Sequence, residues 1–359
     1  MAEHGRLRPV TANHKGKRQM PGPKYYPILK WKAGEQKAMQ HLDPADREPM
    51  LPILEVQPRP GGLSLTALMD SLIKSQVATR PVGLDLRLAL STVTLATLIK
   101  ACSGATRAGL HTFPVVHAAD LFAQLGNVSA LKGASGVVLR LRLQTITLAG
   151  TLAAIDAVRK AIGKGANLHV IYDFGPIGEV DPMALVAFAE PFVRNTLTQG
   201  HASYVALAGG SFPLSLSGFP IGVNNLLPRR EWKAWQALHA QSGCGDVRFG
   251  DYNVTNPDPL GDIDPRAMNP AAAIRYALDG EWWLLRARGA KTSGFKQYNT
   301  LCRVLTADAR YAGVNFSYGD GRYHHHAQQG TSSGNFTTWR RDAASHHLVQ
   351  TVRQLTALT

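Results

Sequence analysis

Three acidic residues, Glu55, Asp85 and Asp173, each close a short apolar run, and basic residues stand in the same relation to other runs: Lys30, Lys32, Arg87, Arg140 and Arg142, with His117. Carboxylates with an imidazole supply the oxygen and nitrogen donors that hold Mg²⁺, Mn²⁺ or Zn²⁺ for phosphodiester hydrolysis. The ion there polarises a phosphoryl oxygen and supplies hydroxide. Glu55, Asp85 and Asp173 are therefore the candidate catalytic residues. The arginines bring planar forks that match phosphate or carboxylate. Lys30, Lys32, Arg87, His117, Arg140, Arg142 and Asp251 form the candidate ligand-binding set. Two observations leave the metal open: no metal motif of fixed local spacing is present, and arginines two residues from the acids compete with a cation. The same residues can also satisfy one another as ion pairs plugging the site.

A second constellation lies near the C-terminus: Tyr323-His324-His325-His326, Trp339-Arg340-Arg341 and His346-His347. Histidine can ligate, or move protons near neutral pH. Adjacent histidines on a helix face different directions, so His346 and His347 do not serve one site. With Gly313, Gly319, Gly321, Gly330 and Gly334 around it, the segment reads as a polar lid from which Arg340 and His346 reach a ligand. Tyr25, Tyr26, Trp31, Trp282, Trp283 and Trp339 lie near basic residues, the mixture on which single-stranded nucleic acid stacks. Aromatic residues beside Lys and Arg also occur in ordinary cores.

The elements that must position these residues recur along the chain. Eight apolar runs read as strands: 28–32, 53–57, 82–87, 113–117, 137–142, 169–173, 204–211 and 247–253. Side chains two apart on a strand share a face, so Lys30/Lys32, Glu55/Gln57, Asp85/Arg87 and Arg140/Arg142 point together. Helical periodicity marks 63–76, 92–101, 147–162, 182–197 and 231–240, and Asp181-Pro182 is a helix start. Strands spaced mostly about 25 to 35 residues apart suit a TIM-like (βα)8 barrel of the α/β class, whose C-terminal strand ends form the mouth where ligands bind. A doubly wound sheet gives similar local patterns but usually carries a Gly-rich phosphate loop after its first strand, which is absent.

Past the eighth strand, Pro257, Pro259, Pro265 and Pro270 mark a long loop, and Asp279-Gly280 is a hairpin turn between 274–278 and 282–286. One of the paired tryptophans, Trp282 and Trp283, is expected inward and the other outward. Helices are expected over 297–305 and 345–358. The division that follows is a disordered basic arm over 1–24 and a single barrel domain over 25–359, in which 255–345 is an insertion and Gly/His-rich lid before the last helix.

The chain has 39 Lys+Arg against 25 Asp+Glu, a formal net charge of +14. This favours polyanionic partners, nucleic acid or nucleotides first. The three cysteines, Cys102, Cys244 and Cys302, are scattered, which indicates neither a disulfide framework nor a zinc knuckle. No apolar stretch approaches the roughly 18 residues of a membrane span. A cytoplasmic protein without a membrane partner is the expectation.

Beyond these patterns, the chain resembles the Beta protein family of phage, prophage and bacterial genomes. The matching residues are Tyr26-Pro27-Ile28-Leu29-Lys30-Trp31-Lys32 with Gly34-Glu35, Pro52-Ile53-Leu54-Glu55, and Gly250-Asp251-Tyr252. Further along they are Trp282-Trp283-Leu284, Phe316-Ser317-Tyr318-Gly319-Asp320, and Trp339-Arg340-Arg341 before His346-His347-Leu348. The resemblance implies an association with phages, mobile elements or anti-phage defence, and it supplies no reaction and no catalytic residue. Three functions stay open: a phage- or defence-associated protein whose basic mouth binds nucleic acid or a phosphorylated ligand; a metal-dependent phosphodiesterase or nuclease using the mouth acids; and a scaffold in a multiprotein anti-phage complex.

Overall fold

The computed structural model describes residues 22–59, 61–75, 80–90, 94–123, 125–222, 224–258 and 268–358. Most of the N-terminal arm and the centre of the proline-rich loop, 259–267, lie outside the described residues.

Eleven strands are described: β1 Tyr25–Lys30, β2 Ile53–Glu55, β3 Val82–Asp85, β4 Thr112–His117, β5 Gly136–Arg142, β6 Asn167–Pro176, β7 Tyr204–Gly210, β8 Asn225–Pro228, β9 Arg248–Asp251, β10 Ala271–Ala277 and β11 Glu281–Gly289. The first seven and β9 form a closed parallel barrel, in which β9 pairs with both β7 and β1. The fold is thus the (βα)8 barrel expected, and every barrel strand falls within or beside a predicted run.

Strand alternation builds two apolar layers. Tyr26, Ile28, Ile53, Val115, Val138, Ile171, Ala206, Ala208 and Tyr252 pack inside the barrel. The alternate positions, Leu29, Leu54, Leu84, Val116, Leu139, Leu141, Val170, Leu207 and Phe249, face the helices. Four of those helices open on a side-chain cap: Ser64 accepts from the Ala67 amide, Thr94 from Thr97, Thr147 from Gly150 and Asp181 from Met183. Each cap satisfies an amide that the first turn leaves bare; the starts at Leu65, Leu95 and Leu148 fall one to three residues after the expected ones, and Pro182 falls on its expected start.

The C-terminal part adds a three-stranded sheet of order β10-β11-β8, with Asp279-Gly280 at the hairpin turn. The sheet is covered on both faces. Trp282 packs with Phe212, Val254 and Leu284 on one side. Trp283 packs with Tyr276, Tyr298 and Cys302 on the other. Neither tryptophan points outward, contrary to the sequence expectation, because helices Gln297–Ala307, Tyr318–Ala327 and Phe336–Ala357 cover the second face. The last helix begins nine residues before the expected start, capped by the Asn335 side chain on the Thr338 amide. It lies so close to helix Ala33–Gln40 that a Cβ on Gly34 would stand 2.4 Å from Arg340 Cγ.

Candidate functional site in the barrel mouth

Register places the charged strand ends side by side. Lys30 is level with Glu55 and Glu55 with Asp85; His117 is level with Arg140, and Arg142 with Asp173. All of these follow the inward phase of their strands. At the end of β6 the register with β7 shifts between Asp173 and Pro176, a bulge of the kind that re-aims side chains at barrel rims. Gly175 in that bulge has φ +66°, and a Cβ there would sit 1.5 Å from Arg142 Nη1. Only glycine leaves room for that guanidinium to lie across the strand.

Arg140 is the centre of the mouth, with 3% of its side chain exposed. Its Nη1 donates to Glu55 Oε1 at 2.8 Å and to Asp85 Oδ2 at 2.9 Å. Its Nε donates to Asp173 Oδ2 at 2.9 Å, and Nη2 to the Tyr252 hydroxyl at 2.5 Å. Tyr252 in turn donates to Asp173 Oδ2 at 2.6 Å. Asp85 also meets His117 Nε2 at 2.8 Å and accepts from the Arg87 amide. Asp173 accepts from the Gly175 amide at 2.7 Å.

Burial works against ionisation of all three acids, and their neighbours separate them. For Asp85, His117 and Arg140 outweigh burial and hold the carboxyl far below its usual range. For Asp173, Arg140 and Arg142 outweigh it too, and the carboxyl is depressed. For Glu55, burial prevails over Arg140 and the carboxyl is pushed up. Its Oε2 is buried without a hydrogen-bond partner among the described residues. Lys30, whose ammonium donates to the Asp258 carbonyl at 2.6 Å, is brought down by burial to about 8 despite Glu55.

Above this network lies a cavity of about 380 Å³ lined by Glu55, Asp85, Arg87, His117, Arg140 and Arg142, among others. Arg87 and Arg142 remain 46% and 41% exposed, and their nearest carboxylates, Asp120 and Asp173, are 3.8 Å away. They are the loosely paired cations of the wall. The three acids expected to be catalytic do converge here, but Arg140 occupies the space between them. Among the described residues no group of three or more His, Cys, Asp or Glu is arranged to hold a metal ion. The donor set therefore does not fit the divalent cation considered from sequence.

The remaining expected site residues lie elsewhere. Asp251 points out of the barrel, accepting from the Tyr25 hydroxyl at 2.7 Å and meeting His347 Nε2 at 2.6 Å. It shares a strand face with Val247 and Phe249, both in the helix-facing layer. Tyr252 takes the inward place, and the two-residue period carried back from Asp251 to Phe249 already contains that signal. His346 is buried in the C-terminal unit, bound to Asp320 and the Ala277 carbonyl at 2.8 and 2.9 Å. Arg340 binds buried Glu35 at 3.3 Å, and burial, with Arg340 beside it, depresses Lys32. His324 and His325 are exposed, His326 binds the Ser332 carbonyl, and none of the three lines the mouth cavity. The aromatic residues expected to stack on nucleic acid, Tyr25, Tyr26, Trp31, Trp282, Trp283 and Trp339, are all buried core.

A family model described as Beta protein matches residues 25–353. No curated protein matches the chain. A crystal structure provisionally described as a lyase/mutase from Burkholderia cenocepacia J2315 is similar at 15% identity over 65% of this chain and 77% of that one, with a TM-score of 0.35. No helix among the described residues is long and apolar enough to cross a membrane.

Proposed function

We propose a function for this chain, which belongs to the Beta protein family: its barrel mouth binds a phosphorylated ligand, either a nucleotide or a nucleic-acid end. The observation that supports this is the division of labour among the mouth cations. Arg140 is spent on its own carboxylates, whereas Arg87 and Arg142 line the cavity half-exposed and loosely paired. Guanidinium groups placed that way receive phosphate oxygens without first breaking a tight ion pair. The net charge of +14 draws such ligands in. The phage-related or anti-phage setting stays part of the proposal on the family resemblance alone.

The test is binding of short oligonucleotides and nucleotides to the protein and to its Arg87→Glu and Arg142→Glu variants across a salt series. Expected are at least tenfold weaker binding in either variant and a steep fall with salt. Binding that ignores both substitutions rejects the proposal. Binding of no polyanion, with a protein partner copurifying instead, favours the scaffold.

Glu55 supports a second reading, enzymatic turnover of the bound ligand. A buried carboxyl pushed up by its surroundings, with one oxygen free, is suited to proton transfer. Under this reading Glu55→Gln abolishes turnover of phosphodiester or nucleotide substrates while ligand binding persists. Unchanged turnover removes Glu55 from the chemistry.

A further inference from the structure

A larger cavity, about 550 Å³, lies apart from the mouth against the C-terminal sheet. Three arginines line it: Arg275 from β10, Arg286 from β11 and Arg340 from the last helix. Arg275 donates to the Val254 carbonyl at 2.6 Å and Arg286 to the Phe219 carbonyl at 2.8 Å. Neither has a carboxylate within ion-pair distance among the described residues, and Arg286 Nε is buried without a partner. Arg340 alone reaches an acid, Glu35. Among the described residues, three cations facing one carboxylate leave an excess of two positive charges beside a half-enclosed space. Burying such an excess is costly unless an anion completes it. Burial, with Arg340 nearby, brings Arg275 down to about 9, as expected of a guanidinium short of a counter-ion.

Apart from the arginines, the wall carries the polar residues Ser215, Ser217 and Asn269 and an apolar side. Leu214, Leu216, Val254 and Phe336 line the cavity with the stacked pair Tyr298 and Trp339, whose ring centroids lie 4.1 Å apart. The volume is that of a small-molecule site. We infer that this cavity binds a phosphate monoester of about mononucleotide size, with the three arginines holding the dianion and the organic part lying against the apolar side of the wall. A carboxylate would leave one charge uncompensated, and an unsubstituted phosphate would leave the apolar side bare.

The inference is independent of the mouth, and the experiment keeps the two apart. Adenosine 5′-monophosphate, phenyl phosphate, inorganic phosphate, adenosine and benzoate are titrated into the full chain by calorimetry, with thermal shift as a second readout. Expected is binding of at least one of the two monoesters at a site that Arg142→Glu does not remove, at least tenfold tighter than inorganic phosphate, adenosine or benzoate; any further nucleotide site that Arg142→Glu removes belongs to the mouth. Arg286→Gln weakens binding at the retained site at least tenfold. Leu214→Trp, a change at a half-exposed residue that makes no polar contact, blocks it without touching the arginines. Arg142→Glu in the mouth leaves it unchanged. The inference is overturned if neither monoester binds, if benzoate binds as well, if that binding survives both Arg286→Gln and Leu214→Trp, or if Arg142→Glu abolishes it.

Discussion

At the scale of single residues, the mouth depends on one phenol that strand alternation points to but charge does not. Tyr252 bridges Arg140 and Asp173 from the end of the barrel's last strand. Tyr252→Phe removes two hydrogen bonds to charged, buried partners, each worth about 1.5–3 kcal/mol. Chemical denaturation should therefore show a loss of at least about 2 kcal/mol, and a loss under 0.5 would contradict the network. Arg140→Met should be worse, since three buried carboxylates would lose their common partner, at roughly 3–5 kcal/mol or more. For this reason charge reversal at Arg140 does not test binding, whereas Arg87 and Arg142 do. Glu55, Asp85, Asp173, Arg140 and His117 were legible in sequence because each ends a run whose inner face is otherwise apolar. Asp251 was misassigned because charge was weighed above strand phase. The orphaned oxygen of Glu55 was not legible, since it depends on packing between distant strands.

At the scale of elements, all eight barrel strands were readable because each is a short apolar run closed by polar residues. Several other elements were not, helices Ala33–Gln40 and Tyr318–Ala327 among them, and two cases show why. β8 has only four residues and gains its hydrogen bonds from β11, more than fifty positions later, so no local pattern announces it. The first half of the last helix carries Thr337, Thr338, Arg340, Arg341 and Asp342 without an apolar stripe, because its neighbours surround it: Trp339, Asp342, Ala343 and Ala344 are all buried. Its start is set by Asn335, whose side chain caps the Thr338 amide at 3.1 Å. Asn335→Ala should cost about 1 kcal/mol and fray the first turn. Because Trp339 and Arg340 both line the second cavity, faster hydrogen exchange over 336–340 should accompany the loss; unchanged exchange there would show that packing alone fixes the helix start.

At the scale of the whole molecule, buried ionisable groups pull stability in opposite directions. Asp85, Asp173, Asp251 and Asp320 are depressed although burial opposes it, because partners such as His117, Arg140, His347 and His346 outweigh it. They stabilise the fold above the ordinary aspartate range, and that contribution is lost as pH falls through their lowered values. Asp342 is the reverse case, pushed up by burial to about 6. Its proton is held more tightly in the folded state, so its contribution is full below pH 4 and is lost as pH rises to 6. His169, brought down by burial to about 3, gains over the same range, so the total profile conceals each group. The difference between Asp342→Asn and the parent isolates one of them. The variant should gain about 2 kcal/mol relative to the parent between pH 4.5 and 7.5, measured by urea unfolding, and a pH-independent difference would refute the assignment. The partners of Arg140 carry a different consequence. They lie 85, 55, 33 and 112 positions away along the chain, on strands that follow one another around most of the ring. Non-local pairings of this kind form late in folding. A chain cut before residue 252 would strand its central cation without its last neighbour, so an assembled mouth is itself a report that the ring has closed.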